Sequence, residues 1–126
     1  MEQNNIKLIT EKYLKDELGF KESVVMDIPL KTYGLKTEEI ADFIVEYSTG
    51  EEICPLIVVS CVDSENISDE AVDKLMDLSD MTMAEYAIVT NGKAVQMYEY
   101  DGKENAYYLL NEPLTKTEIE EIFEEE

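Results

Sequence analysis

The sequence lacks arginine and histidine altogether, and its ten basic residues, all of them lysines, are set against thirty acidic residues. The formal net charge is therefore −20, and the whole excess falls in residues 37–126, because residues 1–36 contain equal numbers of lysines and acids. Proteins that bind nucleic acid gain much of their affinity by neutralising phosphates with lysine and arginine. A surface this acidic is expected to repel DNA, so direct nucleic-acid binding is not predicted.

Cysteine is also scarce, and the two cysteines, Cys54 and Cys61, lie in or beside an apolar run. Without histidine the chain has too few ligands for a zinc site. Charged residues are spread through the first 18 positions, and no apolar stretch approaches the ~20 residues that a membrane-spanning helix needs. We therefore expect a cytoplasmic protein with free, buried thiols and no membrane partner.

The length of 126 residues and the hydrophobic fraction of 44% are sufficient for one domain with its own core. Hydrophobic periodicity predicts the order α-β-β-β-α-β-β-β-α. The helices are predicted over residues 6–18, 69–79 and 115–123, and the strands over 23–30, 40–47, 55–62, 86–90, 93–100 and 105–110. The sequence thus predicts a single α/β (α+β) domain over residues 1–126, with a C-terminal helix and an acidic tail in residues 111–126.

The run from Pro55 to Val62 is almost entirely apolar, which is typical of a strand in the interior of a sheet. The helix over residues 69–79 is then expected to cross over to a parallel strand at 86–90, which gives a mixed sheet. The pairs Asn91-Gly92 and Asp101-Gly102 predict two hairpins with two-residue turns, since these residues tolerate positive φ angles.

This order of elements, with particular residues in them, resembles the PD-(D/E)XK nuclease fold, and most closely the N-terminal domain of type I restriction enzyme R subunits. The resemblance covers about residues 11–110 and implies a restriction-endonuclease-like mixed sheet. It rests on Glu11, Gly19, Asp27-Ile-Pro-Leu30, Ala41-Asp42-Phe-Ile-Val45, Pro55–Cys61, the helix over 69–79 and Tyr86-Ala-Ile-Val-Thr-Asn-Gly92. The last of these segments is the most distinctive.

The resemblance also implies which residues to compare with a metal site. In such nucleases an acid on one strand and a second acid on the next strand hold a divalent metal, and a lysine two residues later positions the attacking water or the phosphate. Asp42 corresponds to the first acid, whereas Ser60 and Val62 occupy the positions of the second acid and the lysine. A glutamine and a tyrosine that often occur on the family's helix are replaced by Lys74 and Leu78. We therefore expect a degenerate site and no cofactor.

Three functions are compatible with this pattern. The first is a catalytically inactive nuclease-fold domain that acts as a binding or accessory module, linked to restriction or another defence system. The second is an active metal-dependent DNA nuclease with a relocated site, in which Asp42 holds Mg²⁺ or Mn²⁺ and Lys74 replaces the missing lysine. Asp63 could contribute to it only through a strand bulge, because it points to the opposite face of a regular strand. The third is an acidic DNA mimic or regulatory protein that binds a basic partner.

The predicted C-terminal strands contain Tyr98, Tyr100, Tyr107 and Tyr108, and alternate tyrosines among them could present a flat aromatic patch. Without neighbouring lysine or arginine such a patch is a poor platform for stacking nucleic-acid bases. We expect these strands to contact a protein partner or a second copy of the chain.

Overall fold

The computed structural model describes residues 3–48 and 50–124, and the side chains within residues 5–48 and 50–122. The order of helices and strands confirms the predicted fold class, and residues 125–126 of the predicted acidic tail lie outside the described part. The elements are α1 (Gln3–Lys12), β1 (Val24–Pro29), β2 (Ile40–Ser48), β3 (Ile53–Cys61), α2 (Asp69–Thr82), β4 (Tyr86–Thr90), β5 (Val95–Asp101), β6 (Ala106–Leu109) and α3 (Lys116–Glu124). A π-helical turn, Tyr13–Glu17, extends α1, and a 3-10 turn, Leu30–Tyr33, follows β1.

The six strands form one sheet in the order of the sequence, β1-β2-β3-β4-β5-β6. Strands β3 and β4 are parallel, and every other neighbouring pair is antiparallel. Because β3 and β4 are parallel, the chain must cross from one end of the sheet to the other between them, and α2 makes this crossover. The predicted interior position of the 55–61 strand is confirmed.

Helices cover both faces of the sheet, and each face has its own apolar cluster. On one face, which we call the α1 face, Ile6, Leu14 and Leu18 from the first helical segment and Ile119 from α3 pack on Phe43 and Val59, among others. On the other, the α2 face, Leu75 and Leu78 of α2 pack on Ile44, Val58 and Val89, among others. Burial of each such side chain contributes roughly 1.5–3 kcal/mol. None of the helices within residues 3–48 and 50–124 combines the length and the apolar composition that a membrane span requires.

Both predicted hairpins are present, but their connections are four residues long rather than two. Thr90 pairs with Val95, so residues 91–94 form the first connection, and Asp101 pairs with Ala106, so residues 102–105 form the second. In the first connection Gly92 has a positive φ of 90° while Asn91 does not, which excludes the predicted turn type. The reason is the Asn91 side chain, whose contacts are described below.

Candidate functional site

Asp42 lies at a break in the regular alternation of strands β1 and β2. On β2, Ala41 packs on the α2 face and Phe43 on the α1 face, although residues two apart on a strand normally share a face. On β1, the residue between the pairs Met26–Phe43 and Ile28–Ala41 is Asp27, which has a positive φ of 49°. This left-handed conformation is uncommon outside glycine. The break turns the side chains of both aspartates toward α1.

The carboxylate of Asp42 has protein partners on both of its oxygens. Oδ2 accepts a hydrogen bond of 2.8 Å from the backbone N–H of Cys61, at the point where the ladder between β2 and β3 has ended. Oδ1 lies 3.5 Å from the Nζ of Lys7 on α1. With 28% of its side chain exposed, Asp42 is only partly open to solvent.

Lys7 joins two carboxylates, because its Nζ also donates a hydrogen bond to Oδ1 of Asp27. The pKa of Lys7 is raised above its ordinary value, first by this hydrogen bond and then by the charges of Asp42 and Asp27, which together outweigh partial burial. The structure thus brings together two acids and one lysine that are far apart in sequence. Sequence reasoning missed Lys7 altogether and used Asp27 only as a family marker.

Glu11, the family marker on the first helix, does not join this cluster. Glu11 accepts a hydrogen bond of 3.1 Å from Lys15, four residues later on the same helical segment. Such i,i+4 pairs stabilise a helix by a few tenths of a kcal/mol. In this structure Glu11 therefore acts in an ion pair along its own helix.

Cys61 lies next to the cluster on the α1 face, with its thiol 3.5 Å from the hydroxyl of Thr10. Burial raises the pKa of the Cys61 thiol to about 11, and the charge of Asp42 adds to the effect, while the Thr10 hydrogen bond and Lys7 oppose it. A thiol with this pKa is protonated at neutral pH, and the thiolate is the nucleophilic form. The site therefore lacks the properties of a cysteine nucleophile.

The two β3 positions that the family resemblance singled out face away from Asp42. Val59 and Cys61 belong to the α1 face and Val58 to the α2 face, so Ser60 lies on the α2 face by the alternation of the strand. Val62 also packs on the α2 face. The structure does not bring Ser60 or Val62 together with the Asp42 carboxylate.

Lys74 and Leu78 likewise lie on the α2 side of the sheet. Leu78 is buried in the α2-face cluster, and Lys74 is exposed on the outer side of α2. Asp63 follows the end of β3 and lines a small cavity of about 280 Å³ with Ile6 and Lys93. The structure therefore does not bring Lys74 to the α1 face, where Asp42 meets Lys7.

The fit of a divalent metal to this site is poor in one definite respect. Carboxylate oxygens are the ligands that Mg²⁺ and Mn²⁺ prefer, and Asp27 and Asp42 supply them. The ammonium of Lys7, however, already occupies the position between these oxygens. Within residues 3–48 and 50–124 no group of three or more potential metal-binding side chains occurs.

The tyrosine-rich strands form a cavity of about 370 Å³ next to the C-terminal end of α2. The rings of Tyr100 and Tyr107 meet edge to face, with their centroids 5.3 Å apart. Asp80, Met83 and Glu85 also line this cavity. Burial raises the pKa of Tyr107, and the charges of Asp80 and Glu85 raise it further, which places both carboxylates near the phenol.

The tyrosine hydroxyls bind mainly within the protein. The hydroxyl of Tyr107 donates to the backbone oxygen of Ala84 at 2.5 Å and thereby holds β6 against the end of α2. The hydroxyl of Tyr100 donates to Asn105 at 2.5 Å, and that of Tyr108 donates to Glu99 at 2.9 Å. The hydroxyls of Tyr100 and Tyr107, the two tyrosines that line the cavity, therefore both have acceptors inside the protein.

The Thr90-Asn91-Gly92 segment connects two loops. The Nδ2 of buried Asn91 donates to the backbone oxygens of Ser64 and Glu65 at 3.1 and 2.9 Å. Its Oδ1 accepts from the backbone N–H groups of Lys93 and Ala94 at 3.0 and 2.8 Å. This most distinctive piece of the family resemblance therefore has a structural role in this chain.

The sequence model of the type I restriction enzyme R protein N terminus matches residues 6–112. The match covers most of the chain, and the chain therefore belongs to this family. No curated protein and no solved structure matches the sequence.

Proposed function

We propose that this member of the type I restriction enzyme R protein N-terminal family is a catalytically inactive domain that binds a basic protein partner. Its pathway would be restriction or a related defence process, in line with the family. The proposal has two parts, the absence of nuclease catalysis and the chemistry of the partner, and each depends on a separate region of the molecule.

The contacts that Asp42 makes inside the protein are the observation that supports the absence of nuclease catalysis. A nuclease of the resembled class needs a second acid and a lysine beside the first acid, and β3 offers Ser60 and Val62 instead, on the other face. Asp42 itself is engaged by the Cys61 N–H and by Lys7. Removal of a single positioned acid or base commonly costs ~10²–10⁴ in rate, so the loss of two would leave activity near the uncatalysed rate.

The cavity between α2 and the β5–β6 hairpin supports the second part. Asp80 lies in the last turn of α2, where the helix dipole is negative and where the described structure has no basic residue. Aromatic rings attract cations through their faces, and two tyrosine rings line the same cavity as Asp80 and Glu85. This chemistry suits a lysine or arginine side chain of a partner, with the exposed Met83 beside it as an apolar contact.

A second copy of the chain suits this surface less well than a basic protein does. Each copy carries a formal net charge of −20, so two copies repel each other at long range. A basic partner gains from the same charge, which raises its rate of association at moderate salt. For this reason we assign the tyrosine-rich strands to a basic partner rather than to a homodimer.

A metal-dependent nuclease is the second candidate, and one observation favours it. Lys7, Asp27 and Asp42 together have the residue types of the resembled nuclease site, namely two acids and a lysine. If the site had been relocated in this way, the catalytic lysine would come from α1. Lys74, exposed on α2, would have no part in it.

A cleavage assay separates the two candidates. The wild-type protein and the Asp42→Ala variant are incubated with single-stranded and with double-stranded DNA in Mg²⁺ or Mn²⁺. We expect no cleavage by either protein, and no DNA affinity in the sub-micromolar range at physiological salt in a gel shift without metal. Cleavage by the wild type that disappears in Asp42→Ala would establish the second candidate. Cleavage that persists in Asp42→Ala would indicate a contaminating nuclease.

A binding assay tests the partner chemistry. An octalysine peptide is titrated into ¹⁵N-labelled protein at physiological salt, and amide shifts are followed. We expect the largest shifts near Met83 and Tyr107, and weaker binding in the double variant Asp80→Asn, Glu85→Gln. The matched control removes two exposed acids elsewhere, Asp73→Asn and Glu120→Gln. Equal weakening in both variants would show that only the overall charge matters, and the proposed surface would be wrong.

A further inference from the structure

The cluster of Asp27, Asp42 and Lys7 contains an internal cation between two carboxylates. Both aspartates are turned toward α1 by the break at Asp27, whose left-handed backbone is otherwise unfavourable. Two carboxylates directed at one point repel each other unless a cation lies between them. Lys7 supplies this cation, with a hydrogen bond to Asp27 and an ion pair to Asp42.

The exposed fractions of the three side chains indicate a partly buried ammonium group rather than a fully exposed surface ion pair. The Lys7 side chain is 21% exposed, and the Asp42 side chain 28%, while Asp27 at the outer edge is 56% exposed. The neighbouring residues Ile6 and Thr10 on α1 are buried, so the helix holds the lysine stem in place. An entering metal ion would have to displace the ammonium from both acids.

We propose that the ammonium of Lys7 replaces the divalent metal ion that the PD-(D/E)XK resemblance implies, and that removal of Lys7 creates a binding site for Mg²⁺ or Mn²⁺ between Asp27 and Asp42. The inference rests on the proposed absence of catalysis and gives it a chemical cause. A divalent ion held by one or two carboxylates, with water completing its coordination, is an ordinary site for these metals. The carboxylates are therefore suitable ligands, and what prevents binding is the competing charge of the lysine.

The competition between the ammonium and the metal sets the expected size of the effect. A charge-assisted contact is stronger than an ordinary hydrogen bond. If a metal ion must break even one of the two contacts that Lys7 makes with the aspartates, its affinity should fall by about tenfold. The Lys7→Met variant keeps an unbranched apolar stem of similar length and removes the ammonium group. We expect it to bind Mn²⁺ at this site at least about tenfold more tightly than the wild type does.

The experiment measures site-specific Mn²⁺ binding by paramagnetic broadening of the backbone amide signals of Asp27, Asp42 and Cys61 at physiological salt. Lys15→Met is the matched control, because Lys15 lies on the same helical segment and pairs with Glu11 instead. We expect broadening at low Mn²⁺ in Lys7→Met, little change in the wild type and in Lys15→Met, and loss of the effect when Asp42→Asn is added to Lys7→Met. If Lys7→Met binds no better than the wild type, the proposal is wrong.

A second comparison does not require any change at Lys7 and can therefore overturn the proposal even if Lys7→Met fails to fold. The wild type and Asp42→Asn are titrated with Mn²⁺, and we expect the same broadening at Cys61 in both. Broadening in the wild type that disappears in Asp42→Asn would overturn the inference, because the native site would then hold metal despite Lys7. Such a protein that still cleaves no DNA would refute this inference alone. A wild type that cleaves DNA would refute the proposed function itself.

Discussion

Replacement of Asn91 by alanine tests whether the most distinctive segment of the chain is structural. Asn91 is 6% exposed, and its side chain takes part in four hydrogen bonds, two donated to the loop after β3 and two accepted from its own connection. A typical internal hydrogen bond contributes a net ~0.5–1.5 kcal/mol, and a buried group that is left unpaired costs more. Because the released backbone groups lie near the surface and regain water in part, we expect Asn91→Ala to lower the free energy of unfolding by about 2–4 kcal/mol.

Urea unfolding followed by far-ultraviolet circular dichroism measures this change, since the chain has no tryptophan for fluorescence. Asn111→Ala is the control, because Asn111 is exposed and its removal should change stability by no more than about 0.5 kcal/mol. Asn91→Asp keeps the acceptor oxygen but places a carboxylate against the two carbonyl oxygens, so its loss should equal or exceed that of alanine. Equal stability of Asn91→Ala and Asn111→Ala would refute the structural role of this segment.

Three further predictions follow from burial and capping. Leu75→Ala should lower the free energy of unfolding by about 2–5 kcal/mol, because Leu75 is fully buried against the sheet. Lys74→Ala, at the neighbouring exposed position, should lower it by less than about 0.5 kcal/mol in the same urea titration. A large loss of stability in Lys74→Ala would contradict the exposed position of Lys74. The pKa of Cys61 is raised from 9.0 to about 11, so the folded state keeps a proton that the unfolded state releases. Between those pH values the wild type should lose about 2–3 kcal/mol more stability than Cys61→Ala, and parallel curves for the two proteins would contradict this. Ser68→Ala should lower the free energy of unfolding by about 1 kcal/mol, because the Ser68 hydroxyl accepts a hydrogen bond from the Ala71 N–H and so caps α2. Ser68→Asp should restore the cap. Unchanged stability in Ser68→Ala would contradict the role of Ser68 as a cap.

The order of elements could be predicted from the sequence because burial determines hydrophobic periodicity directly. The segment 55–61 has apolar residues on both faces, and the structure places it between β2 and β4 with helices on both sides. Local turn rules were less informative. The Asn91-Gly92 pair predicted a two-residue turn, but the side chain of Asn91 binds Ser64 and Glu65, which are far away in sequence. Turn rules consider only neighbouring residues, so they cannot predict that contact.

The residues around Asp42 could not be predicted for a related reason. Alternation along a strand predicts that Asp42 faces the same side as Ser60 of the neighbouring strand, and this rule requires regular pairing. The positive φ of Asp27 breaks the pairing and turns Asp42 toward α1. Aspartate adopts this conformation more often than most residues do, but nothing in the sequence distinguishes Asp27 from the other aspartates. Lys7 was missed for the same reason, because its role depends on the break.

The presence of an acid at position 42 has an explanation in the structure that does not depend on metal chemistry. The ladder between β2 and β3 ends at Phe43 and Val59, and the Cys61 N–H beyond it needs an acceptor at a buried position. Asp42 supplies the acceptor with one oxygen and binds Lys7 with the other, which attaches α1 to the sheet. These two contacts account for an acid at this position through its contribution to the fold. An acid at this position therefore does not by itself indicate catalysis.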